Sequence, residues 1–226
     1  MYARSSTISD VYNILLDKYN CRVESWWPVT TSKKQDREFE IIIGVILTQN
    51  TNWNNVVKSI KNLKKHDLIS IEKIKNIDIK RLEELIRPSG FFRQKAVYLK
   101  NICSFFLKNK TEDIRQMDLQ ELRKRLLNVV GIGKESADSI LLYALNRPIF
   151  VIDAYTKRIA QRINLLDYAD ASKYTYDTLQ KTFGENLEKD VVLFKQYHGL
   201  IVEHAKEYCR KKPICNGCVL KKLCSY

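Results

Sequence analysis

The chain has 226 residues, 45% of them hydrophobic, and carries 39 Lys and Arg against 26 Asp and Glu, a formal net charge of +13. That length builds one large domain or two small ones with an ordinary core. The charge points to a polyanion, either nucleic acid or an anionic membrane surface, unless it only reflects a lysine-rich proteome.

Seven glycines and four prolines are few, and β-branched residues do not alternate with polar ones over long runs, so the expected class is all-α. The first helix is expected over 9–19, with Val11, Ile14, Leu15 and Tyr19 on one face. A loop over 20–32 carries Trp26-Trp27-Pro28; adjacent tryptophans cannot share a helix face, and proline disfavours helix for Trp27. Residues 38–47 read as a strongly apolar helix, followed by Thr48-Gln49-Asn50-Thr51-Asn52 and a helix whose stripe is Trp53, Val56, Val57 and Ile60, capped by Thr51 or Asn52. Helices over 71–76 and 79–86 precede the turn Arg87-Pro88-Ser89-Gly90. Further helices are expected over 91–108, 119–129, 135–145, 154–163, 172–183 and 190–208. Ile149–Ile152 is apolar but too short for a sheet, and no internal repeat or low-complexity linker is visible.

The turn Gly131-Ile132-Gly133-Lys134 joins two of these helices. Backbone amides at such a turn, with a helix N-terminus behind them, suit a phosphate, and glycine lets the backbone approach closely. The same residues also suit an ordinary turn between core helices. Asp153 follows in Val151-Ile152-Asp153-Ala154, where it is placed to cap the next helix.

Six cysteines occur, and Cys209, Cys215, Cys218 and Cys224 lie in the last eighteen residues. MYARSSTISDVYNILL holds no apolar core with a cleavage site, so a cytosolic chain with reduced thiols and a metal centre is the expectation. Structural zinc usually takes two C-x2-C knuckles, whereas the single one here, flanked by distant cysteines, suits an iron–sulfur cubane better. Cys21 and Cys103 stand apart from this group and are not expected as ligands, Cys103 lying on a helix face.

Leu47-Thr48-Gln49-Asn50-Thr51, Arg87-Pro88-Ser89-Gly90-Phe91, the glycine hairpin, the Asp153 segment and the cysteine tail together resemble the helix-hairpin-helix superfamily of base-excision DNA glycosylases, in its endonuclease III branch. The resemblance implies two lobes, a six-helix domain over 38–149 and a domain from both termini, 1–37 and 150–226, with an iron–sulfur cluster loop. It implies a DNA cleft between them, Gly131, Gly133 and Lys134 gripping a phosphate, Gln49 filling the space left by a flipped base, and Asp153 as the catalytic carboxylate. Asp138 is the rival carboxylate. Cys209, Cys215, Cys218 and Cys224 match the family's [4Fe–4S] ligands, although the family typically has six residues in the first gap and this chain has five. Bifunctional members carry a lysine two residues after the second hairpin glycine; here that residue is Glu135, which disfavours β-elimination and implies hydrolysis alone. Trp26 and Trp27, with Trp53, resemble the base pocket of the endonuclease III-type 3-methyladenine glycosylases, where aromatic faces attract a cationic base. The implied partner is double-stranded DNA with damaged bases, bound by a cytoplasmic, nucleoid-associated monomer of a bacterium or archaeon, with no membrane. A glycosylase/lyase for oxidised pyrimidines, a mismatch uracil or thymine glycosylase, and a non-catalytic DNA-binding module are the alternatives.

Overall fold

The computed structural model describes residues 7–20, 34–166 and 170–226, and among these the chain is helical without strands. The loop with Trp26 and Trp27 lies outside the described residues. Contacts group the chain into two compact units, Val29–Arg147 and Met1–Pro28 with Pro148–Tyr226.

In the Val29–Arg147 unit the helices are α2 (Lys34–Thr48), α3 (Trp53–Lys65), α4 (Ile71–Asn76), α5 (Ile79–Ile86), α6 (Phe92–Lys108), α7 (Thr111–Gln116), α8 (Leu119–Leu127) and α9 (Lys134–Ser139). A π turn, Ile140–Ala144, continues α9, and Leu145 N donates to Ile140 O at 3.0 Å. The core is aliphatic: Ile43, Ile46, Leu47, Val56, Leu63, Leu82, Leu99, Leu126 and Leu141 are buried. Each such side chain contributes about 1.5–3 kcal/mol on leaving water.

The α7 helix was not apparent from the sequence. It has six residues and only Ile114 is buried, so it shows no apolar period. With α7 in place an internal repeat emerges. Ser70, Ile74, Asp78, Leu82 and Ile86 recur forty residues on as Lys110, Ile114, Asp118, Leu122 and Leu126. Hydrogen bonds repeat as well. Ile74 N donates to Ser70 O and Ile114 N to Lys110 O; Ile77 N donates to Lys73 O and Met117 N to Asp113 O. Asp78 accepts from Arg81 N at 3.0 Å and Asp118 from Glu121 N at 3.2 Å, so α5 and α8 are capped alike. Each copy ends in a glycine with positive φ, Gly90 at 67° and Gly131 at 98°, before α6 and α9.

The other unit contains α1 (Ile8–Tyr19), α10 (Ala154–Arg162), α11 (Tyr176–Asn186) and α12 (Val191–Glu207). Helix α12 is buried along much of its length and packs on α1 and α10. Phe150 stacks on Phe183 with ring centroids 4.2 Å apart, and Tyr197, wholly buried, donates its hydroxyl to Ile8 O at 2.8 Å. Helix α11 starts at Tyr176 rather than Ser172, because Thr175 and Thr178 form a capping box while Ser172 is tied to Asp170. Residues 149–152 are buried outside any regular element, and Phe150 O accepts from Gln180 Nε2 at 3.1 Å.

Candidate active site and DNA-gripping hairpin

The hairpin lies in the Val29–Arg147 unit. Ile132 N donates to Val129 O at 3.0 Å, closing the turn, and Ala137 N donates to Gly133 O at 2.9 Å as α9 begins. The two glycines answer to different demands. Gly131 has φ of +98°, and a Cβ there would lie 2.2 Å from the Tyr98 ring. Gly133 has φ of −90°, which any residue adopts, and a Cβ there would meet nothing within 4 Å. The fold requires the first glycine; at the second it leaves an open, exposed stretch of backbone. Lys134 and Glu135 are both exposed at the start of α9, about 100° apart around its axis.

Gln49 does not face solvent. It is half-buried, and its Nε2 donates to Gly131 O at 3.0 Å and to Ser136 Oγ at 3.0 Å. Asp138, the rival carboxylate, is fully buried against Arg123, with Arg123 Nε to Oδ1 at 2.6 Å and an Arg123 Nη to Oδ2 at 3.0 Å. This bidentate pairing accounts for both oxygens and gives Asp138 a structural role. Trp53 is the first residue of α3, half-buried, while Val56 and Ile60 behind it form the core stripe; Asn52 supplies the cap, accepting from Asn55 N at 3.1 Å.

Two residues not singled out from the sequence join this region. Lys95 is 2% exposed, and its Nζ donates to Leu47 O at 2.8 Å and Ser89 O at 2.7 Å, tying the end of α2 to the Gly90 turn. Burial pushes its pKa down to about 8. Phe91, after Gly90, is 63% exposed with φ of +46°, an aromatic held outward in a left-handed conformation that bulky residues avoid.

Asp153 stands in the other unit, at the N-cap of α10. Its Oδ1 accepts from Thr156 N at 2.7 Å and Thr156 Oγ1 at 2.9 Å, and Oδ2 lies 3.6 Å from His198 Nε2. That last separation is beyond hydrogen-bonding distance. Phe150, Val151 and Ile152 beside it are buried, yet 13% of the Asp153 side chain remains exposed. Burial pushes this carboxyl up, but His198 and the Thr156 donors outweigh it and hold it below the ordinary aspartate value. A carboxylate favoured in its ionised form and still partly exposed is suited to stabilising a nearby cation.

The cysteine tail is fastened to the far end of the same helix. Arg158 Nε donates to Cys209 O at 2.8 Å, and Arg162 donates to Cys209 Sγ at 3.1 Å, Arg210 O at 2.7 Å and Lys211 O at 3.0 Å. Cys209, Cys215, Cys218 and Cys224 are each half-buried. Burial raises the Cys218 thiol above the ordinary cysteine value. His204 is wholly buried, with Nε2 3.4 Å from Cys218 Sγ and Nδ1 3.1 Å from the Tyr19 hydroxyl. Among the described residues no three His, Cys, Asp or Glu side chains converge tightly enough for a single metal ion. Arg210, Lys211, Lys212, Lys221 and Lys222 are exposed on the same loops, and Cys103, off in the α6 core, is buried. No helix of the described residues is long and apolar enough to cross a membrane.

Residues 43–185, which contain the hairpin and Asp153, match the family pattern of the HhH-GPD superfamily base excision DNA repair proteins. The chain belongs to this superfamily. A Methanocaldococcus jannaschii protein that bears the name of a DNA repair glycosylase is 46% identical over 221 residues, covering 96% of this chain and 95% of its own. The H. pylori 3-methyladenine DNA glycosylase, solved with 1,N6-ethenoadenine, is 31% identical, with a TM-score of 0.71 over 89% of this chain and 98% of that one. An endonuclease III–DNA complex shares the fold, at 18% identity and a TM-score of 0.76 over 96% and 94% of the two chains. The HhH-GPD chain described here is thus a base-excision DNA glycosylase of the endonuclease III branch.

Proposed function

We propose that this glycosylase flips an alkylated base such as 3-methyladenine from double-stranded DNA and hydrolyses its N-glycosidic bond without cutting the strand. The observation that carries the reading is Asp153 at the N-cap of α10, its Oδ1 accepting from Thr156, its Oδ2 faced by His198 and its side chain partly open to the outside. As the bond breaks, positive charge develops on the sugar; Asp153 stabilises it and orients the attacking water, as paired carboxylates do in glycoside hydrolysis. Asp153 thus combines the capping role with the catalytic one. Gly131 shapes the turn, the open backbone at Gly133 admits a phosphate, and exposed Lys134 adds charge. Gln49 fills the space of the flipped base only by giving up its two bonds to the hairpin; Phe91, already outward, is a second residue for that task. Trp26, Trp27 and Trp53 are the proposed base-stacking residues, a role that rests on the sequence resemblance. The alkylated substrate is supported by the likeness to the H. pylori enzyme. The hydrolytic mode is supported by Glu135, since an exposed glutamate stands where a lyase needs an amine.

Cys209, Cys215, Cys218 and Cys224 would hold a [4Fe–4S] cluster. Four half-buried cysteines within sixteen residues, with a single C-x2-C flanked by distant cysteines, suit a cluster with separated corners better than tetrahedral zinc. Bound, the group supplies a structural cross-link, displaying the five cationic residues of the tail toward phosphates. The chain acts as a cytoplasmic, nucleoid-associated monomer.

The test is base release from duplexes carrying 3-methyladenine, uracil, thymine glycol or mismatched thymine. Wild type is expected to release 3-methyladenine, and Asp153→Asn to lose release of every lesion. Unchanged release by Asp153→Asn removes the catalytic assignment and leaves a DNA-binding module. Borohydride with abasic DNA decides the mode: a covalent adduct establishes a lyase.

A further inference from the structure

Beyond Asp153 itself, α12 contributes a group to the carboxylate. His198 lies within the buried stretch of that helix, 7% exposed, where α12 packs on α10. Phe150 stands edge-on to its ring, with centroids 6.5 Å apart and planes at 88°, which limits how the imidazole can turn. Its Nε2 is 3.6 Å from Asp153 Oδ2, whereas both Thr156 donors are on Oδ1. The two oxygens are therefore held from different helices, Oδ1 by α10 and Oδ2 by α12. Held through Oδ1 alone, the carboxylate could still swing Oδ2 away from the reacting sugar, and such misplacement costs rate steeply.

We propose that His198 is a positioning residue for Asp153, fixing the direction of Oδ2 and so setting the rate of base release without adding to DNA affinity. The inference rests on Asp153 being the catalytic carboxylate. It is tested with the full chain on methylated duplex DNA carrying 3-methyladenine, or on whichever lesion of the panel above is released fastest. Single-turnover release is measured beside affinity for a duplex with an uncleavable tetrahydrofuran abasic site.

His198→Leu is expected to slow release on the order of 10- to 100-fold, the range for a lost contact to a charged group, with affinity held within about twofold. His198→Gln, whose amide N–H reaches toward the place of Nε2, restores most of the rate. In an Asp153→Asn background, which releases no base, His198→Leu leaves affinity for the tetrahydrofuran duplex unchanged, whereas a general structural role would lower it. A His198→Leu rate within about twofold of wild type, while Asp153→Asn is inactive, overturns the inference alone. Full activity of Asp153→Asn overturns the reading of Asp153 and the inference with it. If His198→Leu does not fold, His198→Asn replaces it, being too short to reach Oδ2; equal rates for the Asn and Gln variants then sink the idea.

Discussion

The two hairpin glycines separate stability from DNA binding, and alanine at each makes the difference measurable. At Gly131 an alanine meets two penalties. The left-handed backbone costs about 1–2 kcal/mol for a residue with a Cβ. The Cβ would also stand 2.2 Å from the Tyr98 ring carbons nearest the backbone, an overlap that a ring flip does not relieve. Overpacking of this kind costs typically ~1–3 kcal/mol. Gly131→Ala should therefore lose roughly 2–5 kcal/mol, or about 4–20 °C in Tm for a chain of this size. Tyr98→Ala in the same chain should return the overpacking part and leave the backbone part. At Gly133 neither penalty exists, and Gly133→Ala should melt within about 2 °C of wild type. Its methyl group would occupy the open space proposed for a phosphate. Affinity for a tetrahydrofuran duplex, measured by fluorescence anisotropy at fixed salt, should fall on the order of tenfold or more. Wild-type affinity in a folded Gly133→Ala chain would refute the phosphate-gripping hairpin.

Other outcomes follow from buried charge and from the tail. Arg123→Met strands the fully buried Asp138 carboxylate and should cost about 3–5 kcal/mol in denaturant unfolding, whereas Arg123→Met with Asp138→Leu should recover much of it; an unchanged midpoint in the single variant would contradict the pairing. Lys95 carries a pKa near 8 when folded and an ordinary lysine value of 10.5 when unfolded, so between those pH values the unfolded chain binds more protons and stability should rise with pH. Wild type should gain up to about 1.4 kcal/mol per pH unit relative to Lys95→Met across that window, and parallel pH–stability curves would show Lys95 to titrate normally. Anaerobically purified chain should contain about four iron and four sulfide per molecule, and Cys215→Ser should lose them; stoichiometric zinc instead would reassign the tail.

Much of this molecule was legible in its sequence, for identifiable reasons. Helices such as α4 and α5 were readable because polar caps, Ser70 and Asp78, bound short stretches with a clear apolar face. The hairpin and Asp153 were readable because glycine and a capping carboxylate act locally. Helix α7 was not, since one buried isoleucine makes no period, and without α7 the repeat stayed hidden behind exchanged residues such as Ser70 and Lys110. Long-range partners left no trace either. Nothing near Asp138 in the chain announces Arg123, and nothing near Asp153 announces His198, forty-five residues away. The hydrogen bonds of Gln49 likewise depend on where α9 lands, not on the residues beside it.

The repeat gives the end of α2 an unusual place. Counting five residues on from each turn glycine reaches Lys95 in one copy and Ser136 in the other. Lys95 binds the carbonyl of Leu47; Ser136 binds the amide of Gln49. Two diverged copies thus hold neighbouring residues of one helix terminus from matching stations, like two hands on one rope. One copy has a small turn, Gly-Ile-Gly, and the other carries an outward phenylalanine at its tip. Both turns are thus tied to the one terminus, Ser136 through the Gln49 side chain and Lys95 through the Leu47 carbonyl.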